Sequence, residues 1–194
     1  MSRRQSSIPA HYFDDLYAGD RDPWEFETSA YEQAKYDATL AALPRPRYRR
    51  GLEIGCSIGV LTARLAGRCA SLVAVDVSEK ALDAASARCR TLPNIAFAKM
   101  RVPAEWPAGT FDLIILSEVV YYLDAGDVGL LTDRVRAAIE PGGHVVLVHW
   151  TGTTDYPLSG DDAAELFMTA LGRPARRIRR QRTPAYRLDV LALA

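Results

Sequence analysis

The sequence predicts a doubly wound α/β domain with a mostly parallel sheet. Three observations predict it. Strand-like and helix-like segments alternate through five strands. A final pair of strand-like runs is joined by a short turn. A glycine-containing turn follows the first strand, and an acid ends the second. Alternation of this kind implies a parallel sheet covered by helices on both faces. The closing hairpin adds one antiparallel strand, since so short a link cannot make a crossover. The total is seven strands.

The elements follow in order. Residues 1–28 read as irregular, rich in aromatics and aspartates. From Ser29, a plausible N-cap, the run YEQAKYDATLAAL has helical spacing and ends before Pro44 and Pro46. Residues 51–54 are a short strand leading into Gly55. Residues 58–67 form a helix with Ile58, Leu61, Leu65 and Ala66 as its apolar stripe. Residues 71–76 are a buried strand, and Ser78 caps a helix to about residue 90. Residues 94–98 and 111–116 are the third and fourth strands, the fourth the most apolar. Asp127 caps a helix to residue 139, and residues 143–150 make the fifth strand. A helix over 161–171 precedes the last two strands, 176–182 and 186–193, which turn at Thr183-Pro184.

Bulk properties bound the function. The chain has 194 residues, enough for one domain with a sizeable core. It is 48% hydrophobic and 25% charged, which fits a globular protein. Lysine plus arginine and aspartate plus glutamate both number 24, so no whole-molecule field favours nucleic acid or an anionic membrane. Arg3 and Arg4 are followed by no apolar run, so no secretory signal is expected. No apolar stretch approaches the roughly 18 residues of a membrane span. Cys56, Cys69 and Cys89 are scattered, which argues against a disulfide framework or a structural metal and for a cytoplasmic location.

The strongest chemical signal is Glu53-Ile-Gly55-Cys56-Ser57-Ile-Gly59. In open α/β sheets, ligands bind outside the carboxyl ends of the strands. Gly55 and Gly59 let backbone approach a ligand where a Cβ would collide. Asp76, at the end of the second strand, suits both hydroxyls of a ribose. A dinucleotide would use similar logic, but Val60 opposes the close helix–strand packing of that motif. Glu53 would repel a pyrophosphate and attract the ammonium of a methionine moiety. The combination favours S-adenosylmethionine.

At this point LEIGCSIGVLT, VAVDVS, FDLIILSEVVYYL and PGGHVVLVHW resemble the successive motifs of class I methyltransferases, over about residues 30–194. The resemblance implies a three-layer Rossmann-like fold. Cys56, Ser57, Val77 and Ser117 join Glu53, Gly55, Gly59 and Asp76 as expected cofactor contacts. Ser57 departs from the family, which has a central glycine there. Lys99-Met100-Arg101-Val102 departs too, lacking the acid that many relatives place after the third strand. Met100 or Arg101 is then expected to pack on the adenine.

A narrower resemblance lies in Asp22-Pro-Trp24, in Thr28-Ser-x-Tyr31-Glu-x-x-Lys35-Tyr36, in SEVVYYL and in HWxGxTxDYPLSGD. These look like the nodulation-protein S family. The family implies N-methylation of the free amine of a partly deacetylated chitooligosaccharide. By analogy Trp24 and Tyr31 close over the cofactor, Tyr31 reaching its carboxylate. The alternative is a hydrophobic anchor pinning residues 1–28, expected to act as a lid, to a domain spanning 29–194.

Methyl transfer to an amine needs positioning and loss of a proton. Glu118 and His149 are the candidate bases, at the ends of the fourth and fifth strands. Tyr121, Tyr122 and Asp155 are the candidate acceptor contacts. Tyr121 and Tyr122 read as a wall, with sugar stacking open to either. His144 reads as structural. Arg173, Arg176, Arg177, Arg179, Arg180 and Arg182 fit a solvated edge strand better than an anionic partner, because no aromatics interleave to stack bases. The competing functions are an O-methyltransferase, a non-catalytic cofactor-binding regulator and a dinucleotide oxidoreductase. A nucleic-acid methyltransferase is disfavoured, since Ser117-Glu118-Val119-Val120 lacks the usual prolines. The expected partner is a small-molecule acceptor with no nucleic acid, no membrane and no metal. The expected state is a monomer or weak homodimer.

Overall fold

Strand β1 (Tyr48–Ile54) begins just past Pro44 and Pro46, and its last four residues are all buried, as in a parallel strand covered on both faces. Strands β2 (Cys69–Asp76) and β3 (Ile95–Lys99) pair parallel beside it in the order β3-β2-β1. Ile54 pairs with Val75, and Asp76 with Lys99. The carboxyl ends of the three strands therefore align. Four helices belong to the same unit, Pro9–Arg101: α1 (Ala10–Gly19), α2 (Ala30–Ala42), α3 (Val60–Leu65) and α4 (Glu79–Arg88). The computed structural model describes residues 3–173 and 175–194.

The other unit joins residues up to Ile8 with Val102–Ala194. It holds β4 (Phe111–Ser117), α5 (Ala125–Ala138), β5 (Ile139–Trp150), α6 (Gly160–Leu171), β6 (Ala175–Arg182) and β7 (Tyr186–Leu193). The strand order is β4-β5-β7-β6. β4 and β5 run parallel, and β7 is antiparallel to both its neighbours. Phe111, Leu113, Ile114, Ile115 and Leu116 are completely buried, as expected for a strand covered on both faces. The seven strands and the single antiparallel one are those expected from the sequence.

Polar groups also enter the core. Arg187 and Asp189 on β7 are buried and joined by Nε to Oδ2 at 2.5 Å. A second Arg187 nitrogen lies 2.7 Å from Glu165 on α6. On α2, buried Lys35 meets Glu32 at 2.8 Å, one helical turn away. Burying such charges is tolerable because they are paired.

Three expectations change. The segment 1–28 is not irregular throughout: Ala10–Gly19 is helical and packs on α4, with Tyr17 buried. The aspartates hid this periodicity. Helix α5 is capped by Asp124, not Asp127. The Asp124 side chain accepts the Asp127 amide at 3.0 Å, because Asp124 is the residue with extended backbone. Ser78 stands at the start of α4, but its side chain makes no cap bond. Ser29 does cap α2, accepting from the Glu32 amide. On β6, Arg176, Arg177, Arg179, Arg180 and Arg182 are exposed along the outermost strand of its group, in keeping with a solvated edge.

Candidate functional site

The turn after β1 takes its shape from three left-handed residues, Gly55 (φ 75°), Ser57 (φ 50°) and Gly59 (φ 79°). Glycine adopts this conformation freely, while a serine carries a cost of roughly 1–2 kcal/mol. The turn is anchored to β2, because the Gly55 and Cys56 amides both donate to the Val75 carbonyl, at 2.8 and 3.0 Å. Gly59 has a second reason to be glycine. A Cβ there would lie 2.9 Å from Ala85 Cα on α4.

Two buried carboxylates flank this turn. Asp76 Oδ2 accepts the Ser57 amide at 2.8 Å, and Oδ1 accepts the Ser78 amide at 2.9 Å. Burial raises the Asp76 carboxyl, and these backbone bonds oppose the shift. An ionised carboxylate has about four lone-pair sites, so it retains capacity for further donors. Glu53, only 1% exposed, is pushed up to about 8 by burial, and nearby Asp76 adds to the rise while Thr62 opposes it. Its Oε2 is buried with no hydrogen-bond partner among the described residues. A buried carboxyl with an idle oxygen is suited to a cationic ligand.

Val77 follows the end of β2, and Met100 and Arg101 follow the end of β3. Val77 and Met100 are half-buried, and the Met100 amide donates to the Asp76 carbonyl at 2.9 Å. Arg101 is exposed, and Cys56 is buried. Asp22 folds the segment after α1, its carboxylate accepting the Phe26 and Glu27 amides, each at 2.8 Å. Trp24 lies edge-on to Tyr17 at 5.8 Å between centroids and stacks on Phe26 at 5.5 Å. The Tyr31 ring lies 5.1 Å from Lys35 Nζ.

The candidates of the second unit form their own cluster. Ser117 ends β4. Glu118 follows it with φ 57°, and its Oε2 accepts the Tyr121 hydroxyl at 2.7 Å and the Trp150 amide at 2.8 Å. Tyr121 stacks on Tyr156 at 5.3 Å and meets Tyr122 edge-on at 4.6 Å. Burial, above all, pushes both phenols well above their ordinary value. His149 is fully buried, its ring 5.4 Å from Tyr121. Asp155 pairs with Arg4 at 3.3 Å.

Residues 3–8 strap this cluster. The Arg4 amide donates to the Asp155 carbonyl at 2.9 Å, and the Ile8 amide to the Tyr122 carbonyl at 2.8 Å. Arg3 donates to the Tyr156 carbonyl at 3.1 Å. Sequence reasoning missed three participants: this strap, Tyr156 and Tyr17. Tyr17 had a usable signal, since Phe13, Leu16 and Tyr17 recur at helical spacing. The strap had none, because its bonds, by backbone and by the Arg3 and Arg4 side chains, reach residues far along the chain.

Fold and turn together define the class: a Rossmann-like fold of the class I methyltransferase kind. An N-methyltransferase NodS structure from Bradyrhizobium japonicum is 27% identical, with a TM-score of 0.74 over 84% of this chain and 96% of that one. The same protein in complex with S-adenosyl-L-homocysteine matches with a TM-score of 0.78 over 95% and 97%, at 24% identity.

The chain belongs to the nodulation protein S (NodS) family, whose model matches residues 14–146. Nodulation protein S of Rhizobium tropici is 30% identical over 127 residues, 64% of this chain and 53% of that protein. That of Bradyrhizobium diazoefficiens is 36% identical over 103 residues, 53% and 49% respectively. The matches thus span about half the length of these relatives.

Proposed function

We propose that the chain is an S-adenosylmethionine-dependent methyltransferase acting on a small molecule through an amine. The free amine of a deacetylated chitooligosaccharide is the acceptor proposed. The observation that carries the reading is the pair of buried carboxyl groups, Glu53 and Asp76, that flank the turn after β1. Glu53 has the idle oxygen and the raised pKa that a methionine ammonium would relieve. Asp76 is a carboxylate already oriented by two amides and able to take ribose hydroxyls. Gly55, Cys56, Ser57 and Gly59 bring backbone close to the ligand. Val77 and Met100 cover the adenine, with Arg101 at its edge. Trp24 and Tyr31 complete the proposed contacts of this unit. The cofactor supplies a methyl group already activated by a sulfonium.

The protein's own work is then positioning and proton handling, of which positioning can supply roughly 7–11 kcal/mol. An amine acceptor must reach the methyl unprotonated. Glu118 is the better placed proton acceptor, because His149 is fully buried. Tyr121 and the Trp150 amide hold the Glu118 carboxylate in one orientation. Tyr121 and Tyr122, with Tyr156, offer aromatic faces for a sugar ring, and Asp155 a carboxylate at the rim. His149 orients Tyr121 by ring contact.

The three cysteines are buried and none forms a disulfide, which supports a cytoplasmic location. No helix among the described residues is long and apolar enough to cross a membrane.

Thermal unfolding with S-adenosylhomocysteine tests the cofactor. At a hundred times its Kd, the ligand is expected to stabilise the protein by about 2.7 kcal/mol. NADH at the same concentration is expected to leave the melting temperature unchanged. Transfer of labelled methyl from S-adenosylmethionine then separates an enzyme from a binding protein.

A further inference from the structure

Helix α1 reaches the β1 turn through one hydrogen bond. The Tyr17 and Ser57 hydroxyls lie 2.5 Å apart. Ser57 is the one non-glycine among the three left-handed residues of the turn, so its conformation is the least self-supporting there. Its amide is also the group that holds Asp76 Oδ2. Tyr17, Ser57 and Asp76 therefore form a continuous chain, from a helix side chain to a carboxylate.

Tyr17 is itself held. It is only 9% exposed and packs edge-on against Trp24, which stacks on Phe26. The Phe26 amide is tied to Asp22. Burial, with Asp76 nearby, keeps the phenol protonated. It is thus a permanent hydroxyl at any working pH. The Asp22-Pro-Trp24 motif serves as a buttress for Tyr17.

We propose that Tyr17 is a positioning residue for the cofactor turn. By fixing Ser57 in the left-handed conformation, it keeps the Ser57 amide on Asp76 and so orients the carboxylate that receives the ribose. This rests on the reading of the β1 turn as the S-adenosylmethionine site. A glycine at 57 would take the conformation unaided, so dependence on Tyr17 is a consequence of the serine.

The test is a double-mutant cycle read by calorimetric binding of S-adenosylhomocysteine to the full chain. Tyr17→Phe is expected to weaken binding about five- to tenfold, the usual worth of one hydrogen bond. In a Ser57→Gly background the same change is expected to cost less than twofold. Ser57→Ala, which leaves α1 untouched, is expected to match Tyr17→Phe. An equal loss in both backgrounds, or no loss from Tyr17→Phe and Ser57→Ala, overturns the proposal. A merely structural role for Tyr17 would lower the melting temperature of both backgrounds and give no rescue by Ser57→Gly. Asp76→Ala is the separate control: undiminished S-adenosylhomocysteine binding by that variant overturns the cofactor-site reading, and the proposal with it.

Discussion

Asp76 holds the β1 turn through Ser57, its Oδ2 accepting the Ser57 amide at 2.8 Å while Oδ1 accepts the Ser78 amide at 2.9 Å. One carboxylate thereby fixes the turn after β1 and the start of α4. Asp76→Ala removes two charge-assisted bonds and the proposed ribose acceptor. Hydrogen bonds to charged groups are worth about 1.5–3 kcal/mol each. Binding of S-adenosylhomocysteine is expected to weaken by about a hundredfold or more, measured by calorimetry.

Glu53 is expected to make cofactor binding pH-dependent. Its carboxyl is pushed up to about 8 in the folded protein by burial. Between an ordinary carboxyl value of about 4.3 and 8, the folded state holds a proton that the unfolded state has lost. Stability without ligand therefore falls as pH rises through this window. The ligand ammonium favours the ionised carboxylate, so binding releases a proton below pH 8. Affinity is expected to rise with pH, by up to about tenfold per unit, and to level off above 8. Glu53→Gln abolishes the slope. Calorimetry in two buffers of different ionisation enthalpy reads the released proton directly.

Gly59 is fixed by geometry. It has φ 79°, and a Cβ would sit 2.9 Å from the backbone of Ala85. Gly59→Ala combines a left-handed penalty with overpacking, about 2–4 kcal/mol together. Urea unfolding is expected to show a loss of that size.

Arg187 and Asp189 supply a stability test remote from the proposed site. Removing Arg187 alone leaves Asp189 buried and short of its nearest cation. Arg187→Leu is expected to destabilise by about 3–5 kcal/mol. Replacing both by leucine is expected to recover most of the loss in urea unfolding, since the desolvation cost goes with the charges.

A substitution in the tyrosine cluster distinguishes the proposed acceptor site from the cofactor site. Tyr156→Ala removes a face stacked on Tyr121 and edge-on to Tyr122. It is expected to raise the acceptor KM about tenfold while leaving S-adenosylhomocysteine affinity within twofold, as steady-state kinetics and calorimetry would show.

Much of the fold was legible because apolar periodicity and turn residues report local structure. The strand that ends at Ile54, the buried run into Asp76 and the hairpin turn at Thr183 were readable this way. That Glu53, the glycines and Asp76 come together was legible because each lies at or just after a strand end. The helical position of Tyr17 was readable, but its partner was not, because the contact lies 40 positions away in the chain, at Ser57. The Glu118 environment was hidden for the same reason, since Trp150 contributes only a backbone amide. Burial of His149 likewise depends on tertiary packing that no local pattern reports.

The most direct test of amine methylation is mass spectrometry of a reaction containing S-adenosylmethionine and a chitooligosaccharide, with and without its terminal N-acetyl group removed. One added methyl on the deacetylated sugar, and none on its acetylated counterpart, is the expected result. Transfer to both sugars alike, or S-adenosylmethionine left unconsumed with either, would contradict it.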